Sequence, residues 1–340
     1  MSALALAPII GVSAAIKHAA LLMERFAPTA LPILLIGATG TGKELFARHI
    51  HYRSARRGAL VDVNCGALPA EIAESLLFGH RRGAFTGAVE SVSGHLERAD
   101  TGTLFLDEVM HLSLSAQVKL LRALELGEVQ PLGSANKHRA DFRVVSAAQE
   151  DTPERLDNGT FRHDLFQRLA GIVIDLPLLA DRPEDIMPLA EHFATAHGQR
   201  LEHGTAEVLE GHPWPGNVRE LRLAIERAGC LVANGTLPAG AIRDAIELGT
   251  PRRRRAERQQ PSARRQQHPR RTWDELMLVC RQNGGDPERV AAGLGLRRSA
   301  MYEQLRGAGI SLRDVRECGS PPDVHRNSTG MPENEYPSNS

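Results

Sequence analysis

The sequence has few cysteines, few aromatic residues and no long apolar run. Its four cysteines, Cys65, Cys230, Cys280 and Cys318, lack the spacing of a metal site, and aromatic residues make up 4% of the chain. No apolar run approaches the roughly 20 residues of a membrane helix. The N-terminus lacks the charged and apolar segments of a secretory signal. We therefore expect a protein of the reducing cytoplasm with no membrane span.

The chain also has no net charge, because 41 Lys and Arg residues balance 41 Asp and Glu residues. Any sequence feature that indicates nucleic-acid binding must therefore be confined to one segment of the chain. Residues 251–271 provide one, with nine arginines against a single acidic residue, Glu257. We interpret this segment as a flexible basic linker that adds contacts to DNA phosphates; a solvated spacer is the alternative.

Short apolar runs alternate with longer segments of helical periodicity in the first half of the chain. This alternation predicts a parallel α/β sheet. The predicted strands are Ile33–Ile36, Leu60–Val63, Leu104–Leu106, Val144–Val145 and Ile172–Leu176. After Pro183 the pattern becomes purely helical up to about Leu248, which predicts a small α-helical lid on the sheet.

A glycine-rich segment follows the first predicted strand and opens a helix. It consists of Gly37, Ala38, Thr39, Gly40, Thr41, Gly42 and Lys43. In this context backbone N–H groups surround phosphates, the helix N-terminus adds positive potential, and the lysine reaches the terminal phosphates. We predict that ATP binds here, between sheet and lid. Glu44 occupies the place of the usual Mg²⁺-binding hydroxyl, so the metal depends on other groups.

Asp107 and Glu108 directly follow the apolar run Leu104–Leu106. A strand that ends there brings both carboxylates to the sheet edge beside the phosphates. We predict that Asp107 holds Mg²⁺ through water and that Glu108 polarises the attacking water as a general base. An isolated acidic pair would be a solvated turn, but this position downstream of a phosphate loop favours the catalytic interpretation.

A second glycine-flanked segment is more specific. Gly83, Ala84, Phe85, Thr86, Gly87 and Ala88 follow the sequence Leu77-Phe78-Gly79-His80. With these motifs the sequence resembles the bacterial enhancer-binding proteins, the sigma-54-dependent transcriptional activators of the AAA+ class, over residues 9–310. The resemblance implies that residues 83–88 form the loop that contacts the sigma factor. Without the rest of this motif, Phe85 would be interpreted as a core residue in a tight turn.

The resemblance implies further roles. Asn64 resembles the switch residue that hydrogen-bonds Glu108 and couples the nucleotide to the loop. Arg162 and Arg168 look like arginine fingers, which stabilise the transferred phosphoryl group in a neighbouring subunit and so imply a ring, commonly a hexamer. Residues 214–221 look like the sensor II segment, where Arg219 senses the γ-phosphate; Arg227 is a second candidate.

Residues 291–305 have the apolar spacing of two short helices joined near Gly295, which is a helix-turn-helix pattern. The segment resembles the Fis-type module of the same family, with residues 297–305 as a recognition helix in the major groove. The candidate DNA contacts are Arg297, Arg298, Ser299 and Tyr302. A helical hairpin used for packing is the alternative.

Several segments depart from the family pattern. Leu76 replaces a glutamate, Arg81 and Arg82 replace an acidic-basic pair, the sensor I segment reads Ala147-Ala148-Gln149, and residues 178–182 differ from the usual Pro-Leu-Arg-Glu-Arg. We therefore expect slower hydrolysis than in typical relatives. Because only residues 1–32 precede the first strand, we expect no sensory domain, and control by a regulatory protein in trans or by expression level.

These expectations divide the chain into an α/β ATPase subdomain (1–180), a helical lid (181–249), a basic linker (250–271), a helix-turn-helix domain (272–312) and a disordered tail (313–340). The expected protein binds enhancer DNA and uses ATP and Mg²⁺ to remodel the closed complex of sigma-54 RNA polymerase holoenzyme. Two alternatives are a DNA-binding regulator that uses ATP only to oligomerise, and an AAA+ remodeller outside transcription.

Overall fold

The computed structural model describes residues 6–149, 151–232, 235–250, 273–284, 286–294, 296, 301–302, 305 and 308. Contacts divide the chain into two units, Met1–Arg255 and Ala256–Ser340. Within the described residues, no helix combines the length and the apolar character that crossing a membrane requires.

A parallel sheet forms the centre of the first unit. The strands up to the lid are β1 (Ile33–Ile36), β2 (Leu60–Asn64), β3 (Gly79–His80), β4 (Val92–Ser93), β5 (Thr103–Asp107), β6 (Glu128–Val129), β7 (His138–Arg139), β8 (Arg143–Ala148) and β9 (Ile172–Asp175). Five of them pair in the order β2-β5-β8-β1-β9, whereas β3 with β4 and β6 with β7 form short antiparallel pairs. All five predicted strands are confirmed. Strand β8 is longer than predicted because Ala147 and Ala148 extend its buried surface.

Helices cover both faces of the sheet. They are α1 (Ala14–Phe26), α2 (Lys43–Arg53), α3 (Ala70–Phe78), α4 (His95–Arg98), α5 (Leu114–Leu126), α6 (Thr152–Asp157) and α7 (His163–Leu169). Helices α1 and α2 pack on the face that carries Ile33 and Leu35. Helices α3, α4, α5 and α7 pack on the face that carries Leu34, since successive side chains of a strand point to opposite faces. The predicted α/β fold is thus confirmed.

The lid has its own core, which includes the buried side chain of Trp214. Its elements are α8 (Ile186–Ala196), β10 (Arg200–Leu201), α9 (Thr205–Glu210), α10 (Asn217–Leu231), β11 (Thr236–Leu237) and α11 (Ala239–Gly249). The prediction of a purely helical segment is wrong in one respect, because β10 and β11 form a parallel pair. Two-residue strands are too short to produce an alternating pattern in the sequence.

The buried carboxylate of Asp185 joins the start of the lid to the N-terminal segment. The carboxylate of Asp185 accepts hydrogen bonds from the Ser13 hydroxyl (2.6 Å) and the Ser13 N–H (2.7 Å). The Arg182 guanidinium lies 3.6 Å from the same carboxylate, and both side chains are almost fully buried. Burial lowers the pKa of Arg182, and Asp185 opposes that shift. The lid is therefore tied to the residues that begin α1.

The second unit contains the helices Trp273–Gln282 and Pro287–Leu294. Their buried side chains share a core with Met301 and Leu305, which are themselves helical. Tyr302 is exposed. Three of the candidate DNA contacts, Arg297, Arg298 and Ser299, lie outside the described residues, as do the Arg-rich linker and the tail. The helix-turn-helix domain stays a prediction.

We expect Asp185→Ala to lower the free energy of unfolding by about 3 to 5 kcal/mol, because it leaves the Arg182 charge buried without its partner. Urea unfolding followed by tryptophan fluorescence measures the change. Glu184→Ala is the control. Because the carboxylate of this neighbouring residue is exposed, we expect the free energy of unfolding to change by no more than about 0.5 kcal/mol. Equal unfolding midpoints for the two variants would contradict the role given to the ion pair.

Candidate nucleotide-binding site

The glycine-rich segment connects β1 to α2 as a backbone cradle. Gly40 and Gly42 have φ angles of +83° and +113°, which glycine adopts without steric cost. Gly42 lies at the start of α2 and has open space where a side chain would begin. The Lys43 ammonium donates to the carbonyls of Gly37 (2.6 Å) and Ala38 (3.0 Å). The loop therefore has the open concave shape and the cation that phosphate binding requires.

The lid touches this loop directly through Asn217. Its amide nitrogen donates to the Thr39 carbonyl (3.0 Å), and its amide oxygen accepts from the Leu179 N–H (2.8 Å). The backbones also come close, since a Cβ placed on Gly40 would lie 2.3 Å from the carbonyl oxygen of Gly216. The start of α10 thus forms one wall of the cleft above the phosphate loop.

Arg182 forms a second link between the lid and the loop. One of its terminal nitrogens donates to the Thr41 carbonyl (3.3 Å), and the side chain lines the cleft. Its Nε is buried and has no hydrogen-bond partner among the described residues. The positive charge of the Arg182 side chain at the cleft is suited to an anion.

Asn64, Asp107 and Glu108 meet at the edge of the sheet. Asn64 and Asp107 are paired residues at the ends of β2 and β5. Asp107 accepts a hydrogen bond from the Glu108 N–H (3.0 Å). The Asn64 amide oxygen accepts from the Ala67 N–H (3.0 Å), and within the described chain Asn64 makes no hydrogen bond to Glu108. Both side chains lie against Gly66, where a Cβ would lie 2.1 Å from a Glu108 carboxylate oxygen.

Negative charge accumulates around Asp107. Burial raises the pKa of its carboxyl group; the bond from Glu108 N–H and the Lys43 charge oppose the rise, and the charges of Glu108 and Glu44 add to it. In the described part of the chain, no cluster of three or more ligands could enclose a metal ion. The Asp107 carboxylate fits Mg²⁺, which proteins usually hold through one or two carboxylates together with phosphate oxygens.

These groups line one cleft of about 420 Å³, a size suited to a nucleotide. Arg219 lines it, and its N–H donates to the Gly40 carbonyl (3.3 Å). Arg227 does not, because its guanidinium lies against Gly249 at the end of α11. The structure therefore brings one of the two sensor II candidates to the cleft. Apolar side chains of the N-terminal segment and lid, including Ile9, Ile10, Ile16 and Phe193, complete the lining.

The Gly83–Ala88 segment is an exposed loop between β3 and β4. Gly83 and Gly87 have positive φ angles and open space around them, which permits the tight turns. Phe85 is 44% exposed, although its ring lies tilted against His80 at a centroid distance of 5.0 Å. The alternative of a core phenylalanine is therefore wrong. The hairpin formed by β6 and β7 supports the base of this loop through contacts at Leu132 and Gly133.

The two arginine-finger candidates lie outside this chain's own cleft. Arg162 precedes α7, is exposed, and pairs with Asp164 at 2.6 Å. Arg168 is also exposed and donates to the Leu124 carbonyl (2.9 Å) at the end of α5. Neither contacts the phosphate loop of the same chain.

The end of β8 is apolar where the phosphate loop and Asp107 converge. Ala147 and Ala148 are buried, and the Ala148 carbonyl accepts a hydrogen bond from the Gly37 N–H (3.2 Å). Gln149, the next residue, is half-buried. The segment that departs from the sensor I pattern therefore lies beside the phosphate loop, and its two alanine side chains pack in the cores on the two faces of the sheet.

Sequence analysis missed the roles of Arg182, Asp185 and Asn217. Arg182 belongs to the divergent segment 178–182 and Asn217 to the segment that resembles sensor II, but neither pattern predicts their contacts. Several of their contacts connect residues more than a hundred positions apart, such as Asn217 with Thr39 and Asp185 with Ser13. The only local signal was the Pro-Gly-Asn turn before α10.

Comparisons with known proteins agree with this arrangement. Residues 9–175 match the family described as the Sigma-54 interaction domain, and residues 180–259 match the AAA+ ATPase lid domain. The chain is 44% identical over 229 residues to the Sigma54-dependent transcriptional regulator SfnR of Pseudomonas fluorescens, covering 65% of this chain and 62% of that protein.

Two further relatives are similar over most of this chain. The C4-dicarboxylate transport transcriptional regulatory protein DctD of Rhizobium meliloti is 37% identical over 322 residues, which cover 92% of this chain and 67% of that protein. The crystal structure of NtrX from Brucella abortus in complex with ATP has a TM-score of 0.65 and 30% identity, covering 89% of this chain and 70% of that one.

The first of these relatives is longer than the matched region, since the chain spans less than two thirds of SfnR. The match nevertheless includes the sheet, the lid and the cleft between them. The chain therefore belongs to the AAA+ family of sigma-54-dependent transcriptional regulators.

Proposed function

We propose that this chain hydrolyses ATP and uses the released energy to remodel the closed complex of sigma-54 RNA polymerase holoenzyme while bound to enhancer DNA. The observation that carries the proposal is the convergence of the phosphate loop, Asp107 and Glu108 on one cleft. The names of SfnR and of the matching interaction domain support the sigma-54 partner. The ATP complex of NtrX supports the nucleotide.

In this proposal each residue of the cleft has a distinct task. The loop N–H groups and Lys43 bind the phosphates. Asp107 would hold Mg²⁺, which would neutralise charge on the phosphate oxygens. Glu108 accepts a proton from the attacking water. Arg162 and Arg168 stabilise the phosphoryl group in a neighbouring subunit; their exposure outside this chain's own cleft supports that role. The working form is then a ring, a hexamer by family resemblance.

The coupling path runs from Glu108 to the exposed loop. Glu108 and Asn64 both lie against Gly66, in the turn Cys65–Ala67. This turn leads into α3, which ends directly at β3 and the loop that carries Phe85. We propose that the Asn64 amide exchanges its bond to Ala67 for one to Glu108 during turnover, and that the turn moves α3 and the loop. Phe85 and Thr86 then act on the sigma factor.

The second unit supplies the enhancer contact in this proposal. The exposed Tyr302 lies next to Met301, whose side chain is buried in the core of that unit. We propose that Arg297, Arg298 and Ser299 join Tyr302 at the DNA, and that the Arg-rich linker adds phosphate contacts.

We expect Glu108→Gln to lower the ATP turnover rate by about a hundredfold or more, because the amide cannot accept the proton of the attacking water. Phosphate release by the purified protein measures turnover, and binding of a fluorescent ATP analogue should be retained. Unchanged turnover would contradict the role of Glu108. Absence of turnover in the unaltered chain, with oligomerisation still dependent on ATP, would favour a regulator that uses ATP only to assemble.

We expect Thr86→Ala to abolish open-complex formation at a sigma-54 promoter while ATP turnover stays within about twofold, because the loop lies outside the cleft. Permanganate footprinting of the promoter reports opening. Thr195→Ala, an exposed threonine on the lid helix α8, is the matched control. Normal opening by the Thr86 variant would show that the loop does not transmit the energy.

Substitution of the two lid arginines distinguishes the sensor II candidates. We expect Arg219→Ala to weaken ATP turnover by about tenfold, the effect of losing one charged contact to phosphate. Arg227→Ala should change turnover little, because that side chain lies against Gly249. The kinetic constants kcat and KM for ATP measure both effects, and a larger loss from the Arg227 variant would reverse the assignment.

A further inference from the structure

The backbone of Glu108 has an unusual conformation that its neighbours must hold. Its φ and ψ angles are 52° and 41°, in the left-handed region that residues with long side chains rarely adopt. Its carbonyl accepts the His111 N–H at 2.9 Å, which closes the turn Val109–His111. Contacts that maintain this backbone conformation therefore also help to determine the direction of the Glu108 carboxylate.

The ring of His111, the last residue of this turn, lies close to Glu108. Its Nδ1 lies 3.3 Å from the Glu108 carbonyl oxygen and 4.0 Å from a carboxylate oxygen of the same residue. Its other nitrogen, Nε2, lies 3.1 Å from a terminal nitrogen of Arg155. A guanidinium can only donate hydrogen bonds, so Nε2 must accept. The ring proton therefore resides on Nδ1 and points at Glu108.

Arg155 is itself held in place from two directions. Its Nε donates to the Asp151 carboxylate (2.6 Å), and its second terminal nitrogen donates to the Met110 carbonyl (3.3 Å). Arg155 lies on α6, whereas Met110 belongs to the same turn as His111. The guanidinium thus connects the turn Val109–His111 to α6 and fixes the orientation of the His111 imidazole.

We infer that His111 is a positioning residue for Glu108, kept by Arg155 as the neutral tautomer that carries its proton on Nδ1. The N–H of this tautomer restrains the Glu108 backbone carbonyl. Its nitrogen lies 4.0 Å from the carboxylate, beyond hydrogen-bond distance, so the carboxylate lone pairs stay available to the attacking water. This inference rests on the proposed role of Glu108 as the general base.

Three substitutions at His111 separate a positioned donor from a space-filling ring. Asparagine places its amide nitrogen close to the position of Nδ1, whereas glutamine places it close to Nε2. We expect His111→Ala and His111→Gln to lower kcat for ATP hydrolysis by about tenfold with an unchanged KM, and His111→Asn to restore it to within about twofold. His197→Ala, which removes a half-exposed lid histidine, is the control.

Two kinetic results would overturn the inference. One is a normal kcat for His111→Ala, and the other is a His111→Asn variant as slow as His111→Ala. Glu108→Gln is measured in the same series. Turnover that persists in that variant would contradict the proposed role of Glu108 as the base and would say nothing against the contacts of His111.

A spectroscopic measurement tests the tautomer without reference to activity. In the full chain labelled with ¹⁵N-histidine, the His111 signals are assigned by their loss in His111→Asn. We expect the chemical shifts and couplings of a neutral ring protonated at Nδ1, and a mixture of tautomers in Arg155→Met, which removes the donor to Nε2. An Nε2-protonated ring in the unaltered chain would refute the assignment.

Discussion

Parallel pairing of the five central strands is the constraint on which the site depends. Because the carboxyl ends of parallel strands meet at one edge, the phosphate loop after β1 lies near Asn64 and Asp107, although these residues are distant in sequence. Strand β8 lies between β1 and β5 and ends in buried alanines. The segment that departs from the sensor I pattern therefore keeps the parallel pairing of the sheet and ends beside the phosphate loop in small buried side chains.

The lid and the phosphate loop share hydrogen bonds, so the position of one depends on the other. Asn217 and Arg182 donate to carbonyls of the loop, and Asp185 ties the same region to the start of α1. A change in the loop must therefore be accommodated by the residues that join sheet and lid. Such hinge residues commonly absorb the backbone rotation of domain closure.

The sequence alone predicts the parts of this structure that depend on local pattern. Apolar runs located all five central strands, and the glycines with Lys43 located the phosphate loop, because these signals act within a few residues. The pairing of β10 with β11 and the contacts of Asn217 and Arg182 could not be predicted, since they depend on which distant residues the fold brings together. The bond expected between Asn64 and Glu108 is replaced by one to Ala67.

Asn217 combines two demands that few residue types satisfy together. Its φ angle of +52° favours glycine, asparagine or aspartate, and its side chain must donate to one carbonyl while accepting from one N–H. Glycine would lose both bonds, aspartate would repel the Thr39 carbonyl, and glutamine would resist the backbone angle. The backbone angle and the two hydrogen bonds therefore restrict the residue types that fit this position, and even a conservative exchange would loosen the cleft.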